Sequence, residues 1–339
     1  MPGPFSLLPH VELFEAPTPL QELMNLRAVI AAENGSCPQL YIKRDDMTGL
    51  AGGGNKTRKL EYLLGEARKQ NADTLITVGA LQSNHARQTA AAASKAGFAC
   101  TLILFDTVPY QGALYRRSGN LLLDKVLGAD LVIEDGAADA AEVFERVMGN
   151  ISKAGGTPYL IPVGGSNSVG AIGYARAAGE ILDQAAAKQI GLTRIVHASS
   201  SLGTQAGLLT GLAGRASDVR VTGINVYRHD TEKMREDLTD LTERTADRLG
   251  VRRVGAERFE IVDGFLGEAY GVPTDEMRAA VSTLAQTEGI LLDPVYSGKA
   301  MAAMIAMIFR GEIGPEETVV FLHTGGMPGL FAYEEEFAG

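Results

Sequence analysis

Apolar positions along the chain fall into two alternating rhythms. Short, mostly apolar runs occur at 40–43, 74–78, 100–105, 130–133 and 158–162. Between them lie stretches whose apolar residues return every three or four positions, at 56–69, from Gln82 onward, at 115–127 and at 139–154. The first rhythm predicts buried strands and the second predicts amphipathic helices. The alternation repeats: helix at 170–188, strand at 194–198, helix at 204–212, strand at 219–226, helix at 231–249, strand at 258–262, helices at 274–287 and 297–310, and strand at 318–323. Strands that alternate with helices predict βα crossovers and parallel sheets, so the class is α/β. Two such series predict two parallel-sheet domains with a site between them. Residues 1–38 read as a lead-in arm, with Pro17 and Pro19 just before a helical run from Leu20.

Composition narrows the class. The 339 residues are 45% hydrophobic and 21% charged, enough for a large core. A net charge of −10 argues against a nucleic-acid surface. Cys37 and Cys100 form no disulfide or metal framework. The five histidines show no metal-ligand spacing, and no metal is expected. Met1-Pro2-Gly3-Pro4 lacks the basic and apolar regions of a signal peptide, and the apolar stretch at 300–309 is too short to span a bilayer. A soluble, cytoplasmic protein is expected.

One stretch carries most of the candidate chemistry: Gly52-Gly53-Gly54-Asn55-Lys56-Thr57-Arg58-Lys59-Leu60. On a helix from Lys56, residues Leu60, Leu63, Leu64 and Ala67 share one stripe with Lys56 near its centre, at ~100° per residue. Arg58 is expected on the opposite face and Lys59 on the flank. Lys56 alone of the three cations should point to the apolar side. Burial disfavours an ammonium, and a neutral amine is what Schiff-base chemistry requires. The same pattern also suits a lysine that snorkels outward or pairs with Asp45 or Asp46.

The run from Tyr41 to Leu60 resembles the pyridoxal-phosphate enzymes of the D-cysteine desulfhydrase and aminocyclopropanecarboxylate deaminase family, in its details L-cysteate sulfo-lyase. The likeness continues in Gln82-Ser83-Asn84-His85, Pro162-Val163-Gly164-Gly165-Ser166-Asn167, Gly203-Thr204-Gln205-Ala206-Gly207, Leu292 to Lys299, and His323-Thr324-Gly325-Gly326. It implies two open α/β sandwiches of the tryptophan synthase β-like kind (fold type II), with pyridoxal 5'-phosphate in the cleft. It implies a larger domain of residues 1–59 plus 167–339 and a smaller inserted one of 60–166. It also implies a homodimer, and it makes Lys56 the cofactor lysine.

The remaining site residues follow from motif and resemblance together. Ser199 to Thr204 follows a strand and opens a helix, where free N–H groups and the helix dipole favour an anion, although ordinary capping fits as well. The resemblance places the cofactor phosphate on Ser200, Ser201, Leu202, Gly203 and Thr204. At Gln82-Ser83-Asn84-His85 the pattern alone suits either N-capping or a carboxylate site. The family assigns Ser83, His85 and Gln82 to the substrate and Asn84 to the cofactor's ring oxygen as well as the substrate. Asn55 would help seat the ring. Tyr270 and Tyr296 match active-site tyrosines, and Ser83 joins them among the catalytic candidates. Ser297 or Thr324 would meet the pyridine nitrogen, where the deaminases carry a glutamate, and Ser297 could equally cap its helix. A hydroxyl there favours elimination of a good leaving group over cyclopropane opening.

The expected activity is therefore β-elimination by a carbon–sulfur lyase acting on a small amino acid. The sequence Thr48-Gly49-Leu50-Ala51-Gly52-Gly53 tilts the expectation to L-cysteate, with D-cysteine as the alternative. A sulfonate wants cationic or multiple-donor contacts, and Arg228 is a candidate, although the pattern suits a surface role better. A non-catalytic α/β binding protein and a dinucleotide oxidoreductase are the rivals from other classes. The second lacks the Gly-x-Gly-x-x-Gly pattern it needs.

Overall fold

The computed structural model describes residues 8–338, so the stretch at Met1 to Pro4 lies outside the described residues. In chain order the strands and α-helices are β1 (Leu20–Glu22), α1 (Met24–Asn34), β2 (Gln39–Arg44), α2 (Lys56–Lys69), β3 (Thr74–Ala80), α3 (Asn84–Ala96), β4 (Ala99–Asp106) and α4 (Gly119–Val126). There follow β5 (Asp130–Asp135), α5 (Ala140–Lys153), β6 (Pro158–Leu160), α6 (Ile172–Ala187), β7 (Arg194–Ser199), α7 (Gly203–Gly214) and β8 (Arg220–Asn225). The chain ends with α8 (Thr231–Leu249), β9 (Glu260–Val262), α9 (Asp275–Glu288), α10 (Ser297–Phe309), β10 (Thr318–His323) and α11 (Met327–Leu330).

The strands form a six-stranded sheet in the order β1-β2-β10-β7-β8-β9 and a four-stranded sheet in the order β5-β4-β3-β6. Every pairing is parallel except β1 with β2. Strand alternation assigns each face its helices. Along β10, Val319 and Phe321 join the core under α1, α9 and α10, whereas Val320 and Leu322 join the core under α6, α7 and α8. The small sheet packs α2 and α3 on one face, through Leu75, Leu102 and Leu104, and α5 on the other, through Ile76 and Ile103. All four strands of the small sheet come from residues 74–160, between segments that build the large one.

Two local expectations need correction. The run from Leu20 opens as a strand, because Leu20 to Glu22 pairs along the free edge of β2, and the helix waits until Met24. The helix expected at 115–127 starts only at Gly119. The carbonyls of Tyr115 and Ser118 are taken by the Gln82 side chain, which holds that approach as a turn.

Candidate active site

The C-terminal ends of the strands from both sheets converge on one cavity of about 340 Å³, lined from both sides. Ligand sites of open parallel sheets form at such strand ends. Lys56 reaches it from the first turn of α2. Its stripe partners Leu60, Leu63, Leu64 and Ala67 are fully buried, and Lys56 itself is half-buried. Its Nζ donates to Asn55 Oδ1 at 3.1 Å, and Asn55 Nδ2 donates to Thr204 Oγ1 at 3.1 Å. Burial pulls the Lys56 ammonium down to about 8, with Asp293 opposing and Arg87 pushing the same way. Neither Asp45 nor Asp46 pairs with it: Asp45 binds Arg58 and Asp46 binds Arg44.

The expectation for the other two cations is overturned. Arg58 and Lys59 are both buried, because α2 is enclosed on several sides. Arg58 spans Asp45 and Glu180 at 2.8 Å each, and the latter also binds Lys43. Thr18 and Tyr174 complete this network with hydroxyls on Asp45 at 2.7 and 2.5 Å. Lys59 runs the other way. Its Nζ donates to Gly164 O and Ser166 Oγ, both at 3.1 Å, and Ser166 Oγ donates to Ser201 Oγ at 2.8 Å. Burial holds the Lys59 ammonium well below its ordinary value, and Lys56 adds to the fall. Lys59 thus lies directly beneath the loop that opens α7. Sequence periodicity placed it on a flank, and the partner loop around Ser166 is more than 100 residues away.

That loop has its own local logic. Leu202 offers no side-chain cap to α7, although Gly203 N donates to Ser166 Oγ at 3.2 Å, and Leu202 takes φ 69°, a left-handed conformation that costs a branched residue about 1 kcal/mol or more. Ser200, Ser201, Leu202 and Thr204 line the cavity, with Gly203 just behind the wall. A Cβ at Gly203 would meet Ser166 Oγ at 2.6 Å and Lys59 Nζ at 3.0 Å. Hydroxyls, the N-terminus of α7 and a buried lysine amine therefore surround one spot, the arrangement of an anion cradle.

The junction between β3 and α3 is built differently. Ser83 caps α3 by accepting from Ala86 N at 3.1 Å while still lining the cavity. Asn84 and His85 also line it. His85 Nε2 lies 2.8 Å from Thr77 Oγ1, which donates to Ile161 O, so the ring's Nε2 carries the hydrogen and Nδ1 is an acceptor without a partner. Burial keeps this imidazole neutral. Gln82, expected with its neighbours, does not line the cavity: its amide is consumed by Tyr115 O, Ser118 O and Asn120 N.

Tyr270 and Tyr296 face each other across the mouth, hydroxyl to hydroxyl, and Tyr227 stands edge-on to Tyr270. Burial raises both phenols, Tyr270 to about 12 and Tyr296 well above 10, so both keep their protons at neutral pH. Thr324 lines the cavity and Ser297 does not. Ser297 Oγ donates to Asp293 Oδ1 at 2.6 Å. The Asp293 carboxylate also accepts from the backbone N–H groups of Val295, Tyr296 and Ser297, so Asp293 caps α10 and Ser297 does not. Arg228 points away from the cavity and pairs with Asp237 at 2.7 Å. Among the described residues, Lys56 is the one charged side chain in the lining, and no group of three or more candidate metal ligands gathers.

Comparison with known proteins places this site in context. A profile described as pyridoxal-phosphate dependent enzyme matches residues 11–325. The chain is 41% identical over 325 residues to a D-cysteine desulfhydrase of Salmonella choleraesuis (strain SC-B67) and to another of Salmonella typhi, covering 96% of both chains in each case. It is 40% identical to a crystallised ACC deaminase homologue, with a TM-score of 0.87 over 99% of this chain and 97% of the other. O-ureido-L-serine synthase shares 18% identity and a TM-score of 0.65 over 94% and 92%, which speaks to the fold alone.

Proposed function

The chain belongs to the family of pyridoxal-phosphate dependent enzymes, and from that premise we propose that it is a carbon–sulfur lyase that takes D-cysteine and water to pyruvate, hydrogen sulfide and ammonia. The observation that carries this reading is the composition of the cavity wall. A half-buried amine of lowered pKa, an anion cradle and a protonated phenol pair meet there, with no carboxylate and no arginine among the described lining residues.

The residues present fit the cofactor. The cradle at Ser200 to Thr204, with Lys59 beneath it, suits a phosphate. Asn55 and Asn84 offer amides at the wall, and Thr324 offers a hydroxyl to a ring nitrogen. When bound, pyridoxal phosphate supplies the electron sink that lets a proton leave the substrate's α-carbon. Lys56 would hold it covalently, and its amine, once the substrate's amino group displaces it, would carry the α-proton. Ser83 and the N-terminus of α3 receive the substrate carboxylate. The Tyr270–Tyr296 pair provides the proton that the departing sulfur needs. A hydroxyl rather than a carboxylate at the ring nitrogen is adequate because sulfur leaves readily, and this disfavours cyclopropane opening.

L-cysteate, the expectation from the Thr48 to Gly53 loop, is less well supported. Its sulfonate would bring a second full negative charge to a wall whose single charged side chain is Lys56, while Arg228 is committed to Asp237. The similar curated relatives are named for D-cysteine. The experiment assays sulfide and sulfite released from D-cysteine, L-cysteine and L-cysteate, and maps the borohydride-reduced cofactor peptide. Sulfide from D-cysteine with the tag on Lys56 is expected. Sulfite from L-cysteate restores the sulfo-lyase reading, and a tag elsewhere removes the mechanism.

A further inference from the structure

Behind the cavity wall lies a buried polar cluster that the reaction above does not use. Arg87 on α3 and Asn120 on α4 are both fully buried. Arg87 Nη1 donates to Asn120 Oδ1 at 2.7 Å and to Asn84 Oδ1 at 3.3 Å, and Nη2 donates to Gly53 O at 2.7 Å. Asn120 Nδ2 donates to Asn84 Oδ1 at 2.9 Å and to Gln82 O at 3.0 Å.

A guanidinium has donors and no acceptor. The amide atoms it touches must therefore be oxygens, which settles by chemistry an orientation that an amide's shape leaves ambiguous. Asn120 is fixed with its oxygen on Arg87 and its nitrogen toward Asn84. Asn84 Oδ1 then receives two donors, from Arg87 and Asn120, and both its lone pairs are used. What Asn84 has left for the cavity is Nδ2, a group that can only donate.

We propose that Arg87, together with Asn120, is a positioning residue: it locks the Asn84 amide so that a bound ligand meets a donor there, and so favours a deprotonated oxygen on that ligand. This rests on the reading that pyridoxal phosphate occupies the cavity, in which case the oxygen is the one on its ring. Through Gly53 O, three residues before Lys56, the same guanidinium also fixes the loop that delivers the amine. The charged groups facing Arg87 are Asp124 from α4, Asp293 ahead of α10, and Lys56, whose ammonium it helps to depress. Neither carboxylate forms an ion pair with it, so the hydrogen bonds to the amides and to Gly53 are its direct partners.

The test is a double-mutant cycle read on the cofactor's visible absorption in the purified holoenzyme, titrated with pH. A donor to an anionic oxygen favours the deprotonated form, so removing it raises the midpoint. Asn84→Ala should raise the midpoint by about one unit, a tenfold change in proton affinity. Arg87→Lys keeps the charge but cannot span three oxygens, and should raise it by about half a unit or more. The double variant should shift no further than Asn84→Ala alone, because both act through one amide. Asn120→Leu, which removes the second donor without touching charge, should shift it in the same direction and serves if Arg87→Lys does not fold. An unmoved midpoint in Arg87→Lys or in Asn120→Leu, or fully additive shifts in the double variant, overturns the proposal. A wild-type protein that binds no cofactor overturns the functional reading instead, and the two failures are distinguishable in the first spectrum.

Discussion

Two buried cationic neighbourhoods flank the first turn of α2, and they are solved in opposite ways. On one side Arg58 and Lys43 are matched by Asp45 and Glu180, with Thr18, Tyr174 and Gln184 filling the remaining hydrogen bonds. On the other side Lys56 faces the cavity and Lys59 lies beneath the loop that opens α7, and no carboxylate lies within ion-pair distance of either among the described residues. Removing charge from water is costly unless it is paired. The first neighbourhood meets that cost internally and becomes a rivet between the arm, α2 and α6. The second leaves positive charge uncompensated where a phosphate would complete it. Pairing marks structure and its absence marks chemistry, one and two residues apart on the same helix.

The largest test of this contrast is Lys56→Ala. On the proposed reading, loss of this amine should lower sulfide production from D-cysteine by about 10³-fold or more while the far-ultraviolet circular dichroism is unchanged. Next is Glu180→Ala, which takes the carboxylate from Lys43 and leaves Arg58 with Asp45 alone. Denaturant titration should show a loss of about 3–5 kcal/mol, as for other broken buried pairs, while the folded fraction retains the cofactor band. Lys59→Met should stay folded but weaken cofactor binding about tenfold or more, measured by dialysis and rebinding, because a charge-assisted contact beneath the proposed phosphate loop is lost. The smallest effect is a matter of pH. A lysine with a lowered pKa becomes a neutral amine as pH rises through that value. Attack of cofactor-free protein on pyridoxal phosphate at Lys56 should therefore climb with pH and level off above about 8, where a lysine at 10.5 would still be rising. Continued climb past pH 9 would remove the argument from burial.

Much of this was legible in the sequence for a physical reason. The apolar stripe of α2 repeats at helical spacing, and α8 from Thr231 and β10 from Thr318 begin where the pattern says they do. Local rhythm fails where partners are distant. Arg58 looks like a solvated-face residue until Glu180, 122 positions away, encloses it. Lys59 is misplaced for the same reason. Ser297 was readable as a cap or a ring contact, but the cap is Asp293, four residues earlier, and an aspartate just before a helix was a signal available in the sequence. Gln82 lies in the same motif as Ser83 and Asn84, yet its side chain is spent on the α4 approach, which no motif reveals.

The facing tyrosines carry a consequence of simple counting. Two phenols own two hydrogens, and the single link between Tyr270 and Tyr296 consumes one. Whichever oxygen gives, its neighbour is left with a spare, and swapping roles hands that spare from one rim of the cleft to the other. No ion need form for the exchange, so the rim can serve either face of a guest with the same pair of rings.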